Sequence, residues 1–142
     1  MKKISLLLGA LLCATAALAS PTIESNGMLA GEDGKTLYIF TKDATGKSNC
    51  NGGCAAAWPP FMAANPSLAG GDFSIVTRDD GGKQWAFKGQ PLYFFAGDAK
   101  AGDISGEGQG GVWFVVKPNA AKKTVKTSRY DDPSSYSGGT TY

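Results

Sequence analysis

Shifted by 55 residues, the chain falls on itself. Gly34, Leu37, Tyr38, Phe40, Asp43, Ala44, Gly53 and Trp58 then meet Gly89, Leu92, Tyr93, Phe95, Asp98, Ala99, Gly108 and Trp113. Eight identities over 25 ungapped positions, the scarce residue tryptophan among them, mark an internal duplication. Two copies, at about 27–61 and 82–117, are too few to stack as a solenoid. The expected object is one small domain with an approximate internal two-fold, its matching halves closed around a shared aromatic interior.

Each copy reads as β. Thr36 to Thr41 is rich in β-branched and aromatic residues, and alternation sets Leu37 and Ile39 opposite Tyr38 and Phe40. Asp33-Gly34 is a hairpin signal that joins this strand to a short one at Met28 to Ala30. The second copy offers Phe73 to Arg78, an Asp79-Asp80-Gly81-Gly82 turn, and Lys83 to Lys88 with Trp85 and Phe87 on one face. A Gly89-Gln90-Pro91 turn then leads into Leu92 to Phe95, and Gly111 to Lys117 is the strongest strand signal. Helix is confined to one turn at Cys54 to Ala57, stopped by Pro59. The fold class is all-β: a small single domain of two pseudo-symmetric antiparallel repeats, sandwich or barrel-like, with little helix.

The ends of the chain set its address. Lys2 and Lys3, the apolar run Ile4 to Ala16, and Ala17-Leu18-Ala19 before Ser20 have the layout of a cleaved signal peptide over residues 1–19. Leu12 before Cys13 is a poor lipobox, and no later segment is apolar enough for a membrane span. The expected location is periplasmic or secreted. Cleavage removes both excess lysines and leaves twelve charges of each sign, which argues against nucleic acid or anionic lipid as a partner. The two-repeat domain is expected over 20–118. Beyond it, 119–142 holds a basic stretch from Lys122 to Arg129, an edge-strand signal at Thr124 to Thr127, and a polar Ser/Gly/Thr/Tyr tail.

After cleavage the cysteines are Cys50 and Cys54, an even pair in an oxidising compartment, which reads as a structural disulfide. Closing so small a ring contributes only about 2 kcal/mol, so its role is to fix one loop. The alternatives are a redox-active pair or a soft-metal site. Three residues rather than two separate the cysteines, and the chain has no histidine to complete a metal shell.

The paired segments Tyr38-Ile39-Phe40-Thr41-Lys42-Asp43 and Tyr93-Phe94-Phe95-Ala96-Gly97-Asp98 resemble a family of bacterial secreted repeats, often predicted lipoproteins, with a Yx(FWY)xxD motif. Gly46-Lys47-Ser48, Cys50, Gly53-Cys54-Ala55 and Trp58-Pro59-Pro60 look like that family's first repeat. Gly89, Pro91, Gly102-Asp103, Gly106 and Gly111-Val112-Trp113 look like its second. The likeness covers about 27–117. It departs in the cleaved, unlipidated N-terminus and at Phe114, where many relatives have histidine. The resemblance implies organisation and export, without a mechanism.

The residues that could carry chemistry are Tyr38, Phe40, Asp43 and Trp58 with their copies Tyr93, Phe95, Asp98 and Trp113. Each Tyr and Asp could bind a ligand or cation. The plainer reading buries the ring, hydrogen-bonds the hydroxyl, and uses the carboxylate to accept backbone N–H groups of the following loop. Asp98, Asp103 and Glu107 lie in a glycine-rich loop and are weak candidates for calcium through oxygen ligands. The tryptophans with Trp85, Phe87 and Phe95 could form a platform for a sugar, haem or peptide, against core packing as the simpler account. No Ser-His or Cys-His pair can form without histidine, and no phosphate-binding glycine loop is present. The reading is a non-catalytic envelope module that binds a small ligand or an envelope protein, with no cofactor required. An accessory redox or haem- or metal-carrying protein is the second reading, and a calcium protein the third.

Overall fold

The computed structural model describes residues 20–119. The expected leader at 1–19, Cys13, and the edge strand and tail beyond 119 lie outside the described residues. The elements in chain order are β1 (Ile23–Ser25), β2 (Met28–Ala30), β3 (Tyr38–Phe40), α1 (Gly53–Ala57), β4 (Phe73–Thr77), β5 (Lys83–Phe87), β6 (Gln90–Pro91) and β7 (Trp113–Val115). Short 3-10 turns stand at Pro66–Leu68 and Gln109–Gly111. Among the described residues the pairings are β1–β2, β3–β7 and β4–β5–β6, all antiparallel. The class is all-β as expected, in three small sheets without a closed barrel.

The two copies meet at Tyr38 and Tyr93. Each backbone N–H donates to the other's carbonyl, at 2.8 and 2.9 Å. The approximate two-fold therefore passes between these residues. Two further strand pairings obey it: Tyr38 faces Val115 in β7, and Tyr93 faces Pro60, the residue 55 positions before Val115.

A triangle of backbone hydrogen bonds closes each half. Leu29 N–H donates to Val116, Val116 to Leu37, and Leu37 back to Leu29. In the other half Trp85 donates to Phe61, Phe61 to Leu92, and Leu92 to Trp85. Val116 and Phe61 are equivalent positions that have changed places. Each copy ends by crossing over to complete the other's triangle, so two of the three bonds in each triangle join the copies.

Alternation in the central strands is apolar on both faces, which the pattern of the sequence allowed and the structure uses. Leu37, Ile39, Leu92 and Phe94 join Leu29, Trp85, Phe87 and Val116 in one cluster. Tyr38, Phe40, Tyr93 and Phe95 join Trp58, Trp113, Val115 and Cys50 in a second. The single shared interior expected from the sequence is thus two clusters, separated by the strands that carry the duplication.

Several boundaries differ from the expected ones for identifiable reasons. The turn placed at Gly89-Gln90-Pro91 sits one residue earlier, at Lys88-Gly89. Both residues have positive φ (50° and 80°), as a two-residue hairpin of this hand requires, and Gln90–Pro91 becomes β6. Leu92 to Phe95 is no continuous strand, because Leu92 bonds within its triangle while Tyr93 bridges to Tyr38 and Pro60. The strand expected from Gly111 begins only at Trp113, since Gly108, Gly110 and Gly111 all have positive φ in the preceding turn. β1 has no counterpart in the sequence reading. Its hairpin to β2 turns at Asn26-Gly27, both at positive φ.

The exchange of closing strands makes the halves interdependent. Fragments 20–69 and 70–119 are each expected to give an unfolded amide spectrum alone. Mixed in equal amounts, they are expected to recover dispersed resonances matching those of the intact domain.

Candidate functional site

The Tyr and Asp of each copy act across the two-fold. Tyr38 donates its hydroxyl proton to Asp98 Oδ2 at 2.7 Å, and Tyr93 donates to Asp43 Oδ2 at the same distance. The remaining carboxylate oxygens accept backbone N–H groups of the loops that follow: Asn49 to Asp43 Oδ1, and Ser105 to Asp98 Oδ1. Those loop partners are 56 rather than 55 residues apart, so the second loop carries one extra residue that is recovered before Trp113. Every oxygen of the two carboxylates has a donor inside the domain.

The chemistry of these groups follows from burial. Tyr38 and Tyr93 are fully buried. Desolvation, followed by the adjoining carboxylate, pushes both phenols far above their ordinary range. Burial also raises the Asp43 carboxyl, although the Asn49 N–H, the Tyr93 hydroxyl and the Arg78 charge pull the other way. Neutral phenols and an encumbered carboxylate are poor proton-transfer groups near pH 7.

Four aromatic rings lie in a row beside these pairs. Trp58 and Trp113 stack at 3.9 Å between centroids, 3° from parallel. Phe95 covers Trp58 and Phe40 covers Trp113, each at 4.3 Å. Each tyrosine meets one tryptophan edge-on, Tyr38 on Trp58 and Tyr93 on Trp113. Gly106 is required here, because a Cβ would come within 2.6 Å of the Trp58 ring. Both tryptophans are about 5% exposed (6% and 5%), so the stack is interior structure rather than an open platform. Trp85 and Phe87 are likewise buried.

A buried arginine breaks the symmetry. Arg78, at the end of β4, donates to Ser48 Oγ and Gln84 Oε1 through Nη1, and to the Cys50 carbonyl and Asn51 Oδ1 through Nη2. Ser48 in turn hydrogen-bonds the Tyr93 hydroxyl at 2.6 Å. A guanidinium this buried is tolerable because its donors are engaged by oriented acceptors. It fastens the disulfide loop, where Cys50 and Cys54 are bonded with Cα atoms 5.2 Å apart, to the other copy. Asp79 in the following turn holds the same loop through Lys47 and Asn51. In the opposite half a backbone N–H, that of Gly106, takes the place of Ser48 on the Tyr38 hydroxyl. Ser48 stood in the sequence only as part of the family likeness, and neither Gln84 nor Arg78 was marked, since a strand-end arginine carries no sign of burial.

Asp98, Asp103 and Glu107 are not brought to one point. Asp103 accepts the Ala99 and Lys100 N–H groups, and Glu107 accepts that of Val115. Among the described residues there is no group of three His, Cys, Asp or Glu side chains placed to hold a metal ion.

An open cavity of about 420 Å3 lies on the other cluster, beside β5. Phe61, Trp85 and Phe94 form its apolar floor and wall, the exposed Met62 and Leu68 flank it, and Glu32 and Asp33 stand at its edge. None of the eight duplicated Tyr, Phe, Asp and Trp positions lines it.

These features define an all-β protein of two interlocked repeats, braced by reciprocal Tyr–Asp pairs. The family model for a secreted repeat of unknown function matches residues 22–62 and 74–117, and the chain belongs to that family. No curated protein and no solved structure matches it. The family is a secreted one, and no helix among the described residues is long and apolar enough to cross a membrane.

The raised phenols predict a specific alkaline sensitivity. The folded state holds Tyr38 and Tyr93 protonated where the unfolded chain ionises them near pH 10, so their contribution is intact below about pH 10 and is lost above it. Urea unfolding between pH 8 and 11.5 should show stability falling above pH 10. The fall should be shallower in Tyr38→Phe and in Tyr93→Phe.

Proposed function

We propose that this chain works outside the cytoplasm as a non-catalytic binding module, in which the duplicated Tyr, Asp and Trp residues hold the scaffold and the binding surface lies elsewhere. One observation carries this reading: all four oxygens of Asp43 and Asp98 are occupied by donors of the domain itself. Groups engaged in this way position each other and leave nothing free to act on a substrate. The absence of histidine from the sequence supports the same reading, since the commonest general base is missing. The cavity beside β5 supports the binding half of it, being concave, largely apolar and edged by a few polar groups, as small-ligand sites are.

The test is native mass spectrometry, with an absorption spectrum, of protein isolated from its own envelope without reduction. The expected result is a non-covalent passenger released unchanged on denaturation, together with a visible range free of bands. A Soret or copper band would overturn the reading in favour of a cofactor carrier. Conversion of the passenger to a product on incubation would overturn it in favour of an enzyme.

A further inference from the structure

The internal duplication supplies its own control for what the scaffold requires. Each triangle of backbone hydrogen bonds sets two side chains beside a central-strand neighbour, and the two halves fill these three positions differently. One half uses Leu29, Val116 and Ile39, and the other uses Trp85, Phe61 and Phe94 at the equivalent places. Aliphatic residues are therefore sufficient to close a half. All three replacements run from aliphatic to aromatic, and all three aromatic residues line the cavity of about 420 Å3. Packing alone does not call for this, because Phe61 and Phe94 remain only partly buried.

The shape of the aromatic wall is informative. Phe61 and Phe94 meet edge to face, 5.3 Å between centroids and 71° apart, forming a corner of two ring surfaces. Gly31 packs closely against that corner: even a Cβ there would stand only 3.1 Å from the Phe94 ring and 3.0 Å from Asp33 Oδ1. Asp33 and Phe94 thus flank the same piece of backbone in the cavity wall. Glu32 adds a second carboxylate, and no lysine or arginine is among the residues lining the cavity. Aromatic faces attract cations through the ring quadrupole, and carboxylates at the mouth favour the same sign of charge.

We infer that this cavity binds organic cations, small molecules with an ammonium head and an apolar body, through the Phe61–Phe94 corner, the Trp85 floor and the Glu32 and Asp33 carboxylates. This deepens the binding reading above and rests on it. The ammonium lies on the Glu32 and Asp33 side of the cavity, and the apolar body rests on the partly buried Phe61 and Phe94 rings between Met62 and Leu68.

The probes are benzyltrimethylammonium chloride, benzyl alcohol and phenylacetate, which share a ring and differ in charge. Each is titrated into the purified protein and followed by amide and indole resonances. The cation is expected to shift Gly31, Phe61 and the Trp85 indole and to bind about tenfold more tightly than benzyl alcohol. Glu32→Gln with Asp33→Asn, both at exposed positions and the second able to keep the Lys35 N–H contact, should weaken the cation about tenfold and leave benzyl alcohol unchanged. Phe94→Leu, which keeps apolar bulk without a ring face, should weaken the cation several-fold. Equal or tighter binding of benzyl alcohol or phenylacetate would overturn the assignment of ligand class while leaving a binding module in place. So would indifference of the cation to Glu32 and Asp33. Enzymatic turnover found in the isolated protein would instead overturn the module and leave the cation site standing.

Discussion

A tyrosine hydroxyl of one repeat hydrogen-bonded to the aspartate of the other is the constraint on which this structure depends. A hydrogen bond between a phenol and a buried carboxylate contributes about 1.5–3 kcal/mol, and its loss leaves a polar group stranded in the interior. Two such bonds, 60 and 50 residues apart in sequence, fix how the halves sit against each other. The same carboxylates shape the loops after β3 and Tyr93, so the position of each half and the form of its loop are set by one group. The tryptophan stack then fills the space that these bonds enclose. Its rings are held flat by phenylalanines on either side and by tyrosine edges from within.

This arrangement explains why a domain with so little regular secondary structure can hold together. Its strands are two to five residues long, too short to be stable as isolated hairpins. What they lack in ladder length is supplied by exchange. Each repeat lends its closing segment, at Phe61 or Val116, to the other's triangle, and Arg78 and Asp79 of the second repeat grip the disulfide loop of the first. Strict symmetry covers the brace of tyrosines, aspartates and tryptophans. Among the places where it lapses are the buried Arg78 network and the aromatic cavity beside β5. The first is a stability device, since every contact it makes is internal. The second faces solvent, and that is where a role beyond folding has room to sit.

Much of this was legible in the sequence. The 55-residue self-similarity located the repeats, the two-fold and the residues of the brace, the Asp33-Gly34 turn signal located Met28 to Ala30, and residue pattern located β4 and β5 closely. The Cys50–Cys54 pair followed from compartment and parity. The partner of each tyrosine was not legible, because nothing local distinguishes an aspartate five residues along from its copy in the other repeat. Nor was the exchange of closing strands, which depends on where the chain goes after Pro59 and not on what residues it contains. The β1 hairpin had a signal in Asn26-Gly27 that went unread, since the repeat match starts beyond it. Arg78 had none: its burial is created by acceptors from two separate segments, 48–51 and Gln84. Phe61 and Phe94 gained meaning only when the two halves could be superposed as equivalent positions, and Glu32 and Asp33 only from the cavity they line.

A pair of double-mutant cycles measured by urea unfolding at pH 7 tests the crossed brace most directly. Tyr38→Phe is combined once with Asp98→Ala and once with Asp43→Ala. The crossed arrangement predicts a coupling of about 1–2 kcal/mol between Tyr38 and Asp98, and additivity within about 0.5 kcal/mol between Tyr38 and Asp43. Coupling of Tyr38 to Asp43, the aspartate of its own repeat, with none to Asp98 would contradict it.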